Sequence, residues 1–146
     1  MNVIKKTYSV ECLPQIANDL LQLIEDQNIH IVTLEGSIGA GKTSLVRTVL
    51  QKMGVNQPVS SPTFSYINVY DLPSGRKVYH FDLYRFSRLQ QFYDAGFDEY
   101  LQDEQALVLI EWPELIQKEL YGAVCSIYIE YVAADKREIT YTYKKV

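Results

Sequence analysis

The segment Ile29-His30-Ile31-Val32-Thr33-Leu34-Glu35-Gly36-Ser37-Ile38-Gly39-Ala40-Gly41-Lys42-Thr43 decides the fold. Its first six residues form a short apolar run rich in β-branched side chains, which predicts a buried strand over 29–34. Gly36–Thr43 then satisfies G-x-x-x-x-G-K-[ST] at every required position. Beyond it, Leu45, Val46, Val49, Leu50 and Met53 recur on one helical face, so the spacing predicts a helix over Lys42–Met53, stopped by Gly54.

Strand, glycine-rich loop and helix in that order give the motif its physical meaning. Small residues from Gly36 to Gly41 let successive backbone N–H groups turn inward around an anion. A helix starting near Lys42 adds its dipole and its unpaired N–H groups. Lys42 then reaches the β- and γ-phosphates of a nucleotide, and the Thr43 hydroxyl ligates magnesium, with Ser44 following as a further nucleotide contact. A chance match arises in well under ~1% of chains this long, and a chance glycine-rich turn would lack both flanks. The nucleotide reading is the stronger one.

Working outward, Lys5–Val10 predicts a short strand. Leu13, Ile16, Ala17, Leu20, Leu21 and Ile24 predict a helix, with Pro14 tolerated in its first turn. Phe64–Tyr70 and Lys77–Tyr84 are strand-like and joined by the turn-rich segment Asp71–Gly75, a predicted hairpin. Leu89–Leu101 reads as helix with a break near Gly96, Ala106–Ile110 as a second buried strand, and Pro113–Leu120 as a short helix. Val124–Val132 and Glu138–Tyr143 predict a closing hairpin. The sum is an α/β fold: one P-loop NTPase domain over residues 1–146, with a mixed, mainly parallel central sheet, an internal β-hairpin and a C-terminal hairpin.

Composition narrows the class. Hydrophobic residues make up 47% of the chain, enough for a packed core. The longest apolar stretch, Ala106–Ile110, is far too short to span a membrane. No apolar region follows the early lysines as in a secretory signal, so a cytoplasmic protein is expected. Cys12 and Cys125 lack zinc spacing and read as small core residues. The net charge of −4 and the absence of a basic stripe argue against independent nucleic-acid binding.

Hydrolysis needs more than a phosphate cradle. It also takes carboxylates that organise magnesium and a group that orients water. Glu111 directly follows Ala106–Ile110, where a second P-loop strand delivers a carboxylate to the edge of the sheet. Taken alone, a strand-end Glu is more often a solvated residue. Asp82 lies on the second strand of the internal hairpin, where pairing with Arg85 or His80 is the plainer alternative. His80 reads as a hydrogen-bonded structural residue rather than a catalytic base. Thr63, in Ser60-Ser61-Pro62-Thr63-Phe64, occupies the position of a loop that senses the γ-phosphate, although Ser-Pro also commonly starts an ordinary turn. Trp112, the one tryptophan, is compatible with the core, the site or a partner surface.

Four separated blocks occur in one order: Gly36–Thr43, Ser61–Phe64, His80-x-Asp-Leu-Tyr-Arg85 and Glu111-Trp-Pro-Glu114. Together they resemble the TsaE family, the small ATPases of bacterial threonylcarbamoyladenosine tRNA modification, over essentially the whole chain. The resemblance implies an ATPase using ATP and Mg2+ that acts with the TsaB–TsaD protein pair, meeting tRNA only indirectly through that complex. It implies magnesium contacts for Thr43 and Glu111, a place for Asp82 in the hydrolytic and metal site, Thr63 in a switch-like loop, and Trp112 near the nucleotide. Arg137, in the final turn, corresponds loosely to a basic residue near the nucleotide. Ser37-Ile38 stands where the family commonly has Asp-Leu, and Glu35 is unusual before the loop. Two alternatives compete. The loop is also similar to that of deoxynucleoside kinases, and a nucleotide-gated docking module with incidental hydrolysis fits the same residues.

Overall fold

The computed structural model describes residues 1–62 and 65–144. Among these the chain order is β1 (Asn2–Ser9), α1 (Leu13–Asp26), β2 (Ile31–Glu35), α2 (Lys42–Lys52), β3 (Ile67–Asp71), β4 (Lys77–Asp82), α3 (Leu89–Asp94), α4 (Asp98–Leu101), β5 (Leu107–Glu111), β6 (Val124–Ala133) and β7 (Lys136–Tyr143).

The strands form one sheet in the order β1-β7-β6-β2-β5-β4-β3. Its four central strands, β6, β2, β5 and β4, run parallel. Antiparallel partners close both ends: β3 on β4, and β7 then β1 beyond β6. The mixed α/β sheet, the internal hairpin and the C-terminal hairpin stand as the sequence predicts. The β1–β7 pairing, which ties the first strand to the last over Asn2–Ser9 and Lys136–Tyr143, had no local signal in the sequence.

Two cores flank the sheet, and strand alternation assigns side chains to them. Val32, Leu34, Leu107, Leu109, Cys125 and Ile127 face α1 and α2, meeting Leu20, Leu45, Val49 and Leu50. Ile31, Phe81, Val108 and Ile110 face the other way, onto Phe92, Leu101 and Ile116. The two-residue period therefore puts His80, Asp82 and Glu111 on the α2 side of the sheet, continuing the rows of Val78 and of Leu107 and Leu109.

Several boundaries differ from the sequence expectation, each for a physical reason. The strand expected from Lys5 starts at Asn2, because β7 supplies a partner along its whole length. β4 ends at Asp82 rather than Tyr84, since the Tyr84 N–H turns to the Asp82 carboxylate. The helix over 89–101 carries its expected break near Gly96: it stands as two helices, separated where Gly96 adopts a φ of 75°. No helix covers Pro113–Leu120; a single 3-10 turn stands at Gln117–Glu119, in a segment that lays Ile116 into the second core. Phe64 lies outside the described residues. Cys12, expected in the core, is exposed in the turn before α1, off that helix's apolar stripe, whereas Cys125 is buried.

The phosphate-loop glycines differ in what they do. A Cβ on Gly36 would run into the carbonyl oxygen of Ile129 on the neighbouring β6, whereas one on Gly39 would meet nothing within 4 Å. Both residues have positive φ, 140° and 82°. Gly36→Ala should therefore cost more stability than Gly39→Ala, the latter about 1–2 kcal/mol of backbone strain, and the former an additional ~1–3 kcal/mol of overpacking. Denaturant midpoints of the two variants check the order.

Candidate functional site

At the C-terminal ends of β2, β4 and β5 the chain assembles a polar cluster around the start of α2. The loop from Gly36 to Gly41 leaves β2, and the Ala40 N–H donates to the Ser37 carbonyl at its tip. Gly41, with a φ of 109°, caps α2 and hands the chain to Lys42. The first turn of α2, with its unpaired N–H groups and positive dipole end, faces the same space as the loop. Ser37, Ile38 and Gly39 are exposed at the tip; Ile38 is 74% exposed.

Lys42 is only 5% exposed. Its ammonium donates to the Gly36 carbonyl and sits 3.4 Å from the centre of the Trp112 ring. Burial pulls its pKa below the usual lysine range, against Glu111, Glu114, Asp82 and Glu35, which push it up. Trp112 reaches this position by adopting a φ of 58°, with its N–H on the Leu34 carbonyl at 3.3 Å. Its outer face meets the exposed Tyr84, ring centres 4.8 Å apart. Of the three places open to Trp112, the structure puts it over the loop's lysine.

Glu111 ends β5 and is 2% exposed. Both carboxylate oxygens are engaged: Oε1 accepts the Thr43 hydroxyl at 2.8 Å, and Oε2 lies 2.6 Å from His80 Nε2. Asp82 is its register partner on β4. Asp82 accepts the Ser61 hydroxyl at 2.7 Å and the Tyr84 N–H at 3.0 Å. A cavity of about 230 Å3 opens above this cluster, lined by Ile38, Gly39, Gly41, Lys42, Thr43 and Ser44, and by Asp82, Glu111 and Trp112.

Arg137 stands on β7 rather than in the final turn. Its Nε donates to the Ala40 carbonyl at 3.1 Å, bracing the outer side of the loop, and its Nη1 donates to the Ala133 and Lys136 carbonyls. A second cavity of about 160 Å3 lies there, lined by Tyr8, Val10, Leu13, Gly39, Ala40, Gly41, Ser44 and Arg137. Burial raises the Tyr8 phenol pKa, with the Arg137 charge opposing it.

Sequence reasoning did not assign Tyr8, Val10 or Leu13 to the site, because β1 reaches the loop through its pairing with β7 and α1 follows directly after it. It treated His80 as structural and offered Asp82 as a partner for it, whereas the His80 ring lies on Glu111. Thr63 lies outside the described residues; Ser61, two residues earlier, touches the Asp82 carboxylate.

Thr43, Glu111 and Asp82 offer a hydroxyl and two carboxylates, a set of hard oxygens. Among the described residues no three His, Cys, Asp or Glu side chains gather into a cage. That donor set fits magnesium, which binds through one or two carboxylates and takes its remaining ligands from phosphates and water.

Comparison with known proteins identifies the family and the fold. The model of the family described as threonylcarbamoyl adenosine biosynthesis protein TsaE matches residues 7–139. A tRNA threonylcarbamoyladenosine biosynthesis protein TsaE from Bacillus subtilis is 38% identical over 115 residues, 77% of this chain and 68% of that protein. One from Haemophilus influenzae is 37% identical over 117 residues, 80% of this chain and 72% of that protein. The crystal structure of Bacillus subtilis YdiB superposes with a TM-score of 0.72 at 29% identity, covering 97% of this chain and 86% of that one.

A phosphate bound in the cradle would compete with the Gly36 carbonyl for the Lys42 ammonium and draw it from beneath Trp112. Because Trp112 is the one tryptophan, its emission should change on saturation with ATP and magnesium. Calorimetric binding without an emission change would mean that Lys42 stays under the ring.

Proposed function

The chain belongs to the TsaE family of threonylcarbamoyl adenosine biosynthesis proteins, and from that premise we propose that it is a magnesium-dependent ATPase. It supports threonylcarbamoyl transfer to the adenosine beside the tRNA anticodon by acting with the TsaB–TsaD protein pair in the cytoplasm. The observation that carries the ATPase reading is the hydrogen bond from Thr43 to Glu111 at the mouth of the phosphate loop. It joins the loop's hydroxyl to a strand-end carboxylate, with Asp82 in register beside it.

The roles follow from position. The backbone N–H groups of 36–43 hold the phosphates, and Lys42 offsets the charge that accumulates on them. Thr43 and Glu111 hold magnesium, and Asp82 belongs to the same hydrolytic site, orienting water on the metal side. Magnesium, when bound, neutralises phosphate charge and polarises the transferred group. Trp112 covers the lysine and keeps bulk water from it. The cavity beside Tyr8, Leu13 and Arg137 takes the nucleoside end, with Ser44 between the two cavities. Thr63 completes the loop that responds to the γ-phosphate.

A nucleoside kinase needs an enclosed acceptor pocket next to the γ-phosphate. Among the described residues, the larger cavity of about 910 Å3 is lined by Ile24, Met53, Ser74 and Gln105. Those residues lie at the opposite ends of the parallel strands. The net charge of −4 likewise leaves tRNA to the partner proteins. Among the described residues no helix is long and apolar enough to cross a membrane.

Lys42→Ala should lower ATP hydrolysis by on the order of 10²-fold or more with an unchanged circular dichroism spectrum; near-wild-type turnover would sink the assignment. Glu111→Gln and Asp82→Asn should each reduce hydrolysis more than ATP binding. For the partners, hydrolysis is measured alone, with the TsaB–TsaD pair, and with the pair plus tRNA, beside direct binding of the pair. The pair should change turnover or nucleotide affinity. If ATP alters neither binding nor turnover in any mixture, the coupled reading fails and nucleosides are screened as phosphate acceptors.

A further inference from the structure

We infer that His80 is a positioning residue for Glu111, holding one carboxylate oxygen so that the other is presented to Thr43 and the magnesium of a bound nucleotide; this rests on the proposed magnesium-nucleotide site. His80 is fully buried on β4, between Asn68 of β3 and Leu109 of β5. Its Nε2 lies 2.6 Å from Glu111 Oε2. With Glu111 as a carboxylate, the Nε2–H tautomer of the ring donates a hydrogen bond to it at that distance. The other nitrogen, Nδ1, is buried and has no hydrogen-bond partner among the described residues.

That unpaired nitrogen is the informative feature. An apolar side chain of similar size would fill the same space beside Leu109 without leaving a buried polar atom unsatisfied, a state that folds generally avoid. Packing alone therefore does not account for a histidine here. What the imidazole adds over an apolar residue is the single bond to Glu111.

The consequence for the carboxylate is geometric. Glu111 has two equivalent oxygens on a rotatable terminal bond, and Thr43 holds only Oε1. Thr43, if it holds a metal through its hydroxyl oxygen, would alter that hydrogen bond. The bond to His80 comes from the opposite side, from a ring fixed between strands, and persists. Outer partners of metal-binding groups act in this way, and their removal lowers metal affinity by about 10–100-fold.

The test is calorimetric binding of a non-hydrolysable ATP analogue to the full chain, with and without magnesium. His80→Leu should lose about tenfold or more of the magnesium-dependent gain in affinity, while metal-free binding changes less than about twofold. His80→Gln, whose amide nitrogen reaches the position of Nε2, should recover most of the gain; the shorter His80→Asn should not. His80→Leu combined with Glu111→Gln should bind no more weakly than Glu111→Gln alone. Equal losses with and without metal, no rescue by glutamine, or additive losses in the double variant would each overturn the inference. If His80→Leu does not fold, the glutamine–asparagine contrast decides. Unchanged magnesium dependence in Glu111→Gln would instead overturn the metal role of Glu111 itself. Normal binding by His80→Leu beside an impaired Glu111→Gln would remove His80 alone.

Discussion

An ionised carboxylate can be kept out of water only where its oxygens are occupied, and Glu111 is 2% exposed. The surroundings of the site follow from that constraint. β5 lies between β2 and β4, and the register sets Glu111 against Leu34 on one side and Asp82 on the other. The loop that leaves β2 must therefore bring α2 down so that its second residue, Thr43, meets one carboxylate oxygen. The strand that carries Asp82 must place a donor two residues earlier, on the same face, for the other. His80 and Asp82 are thus bound to one another by strand periodicity as well as by chemistry.

The charges around this carboxylate are unbalanced by design of position. Lys42 is nearly buried and is acted on by Glu111, Glu114, Asp82 and Glu35. One ammonium among four carboxylates makes a poor receptor for a bare polyphosphate, because the backbone dipoles and Lys42 must offset both the phosphates and their acidic neighbours. A nucleotide arriving with a divalent cation would change the balance, since the cation would offset the carboxylates as well as the phosphates. Under the proposed function, the acidity of the site and a requirement for magnesium would be two views of one electrostatic arrangement. Trp112 contributes by holding Lys42 against its ring face, which favours a cation without adding a fifth negative charge.

The segment between α2 and β3 has no regular structure of its own among its described residues, so side chains from its neighbours hold it. Arg47 of α2 donates to the Val59 carbonyl at 3.3 Å, and Asn68 of β3 to the Ser60 carbonyl at 3.1 Å. The third tie is different in kind: Ser61 donates to Asp82 itself. Arg47 and Asn68 fasten the segment to the frame, and Ser61 and the Tyr66 carbonyl, which accepts the Asp82 N–H, fasten it to the strand end that carries a carboxylate of the site. Any reorganisation of Asp82 about phosphate or metal therefore strains the Ser61 contact, while Arg47 and Asn68 keep the rest in place. This gives the γ-phosphate-sensing role read into 60–64 a specific atom to act through.

How much of this was legible in the sequence depends on whether a signal was local. The strand–loop–helix around Gly36–Thr43 was plain, because apolar periodicity, glycine spacing and the Lys-Thr pair all lie within 25 residues of one another. The Gly96 break and both hairpins were legible for the same reason. Cys12 and Pro113–Leu120 were misjudged because the same residue types serve a turn or a core, and only packing distinguishes them. Arg137 reached the loop through a strand pairing that joins the two ends of the chain, so only family resemblance pointed to it. The most instructive pair is Glu111 and His80. A carboxylate immediately after a buried apolar run carries its own local mark, the end of a strand at the edge of a sheet. His80 sits in the middle of a strand, 31 residues earlier, and has no such mark. Its meaning appears only when β4 is known to lie beside β5, because that neighbour relation turns a residue with a bland structural reading into a donor aimed at the carboxylate.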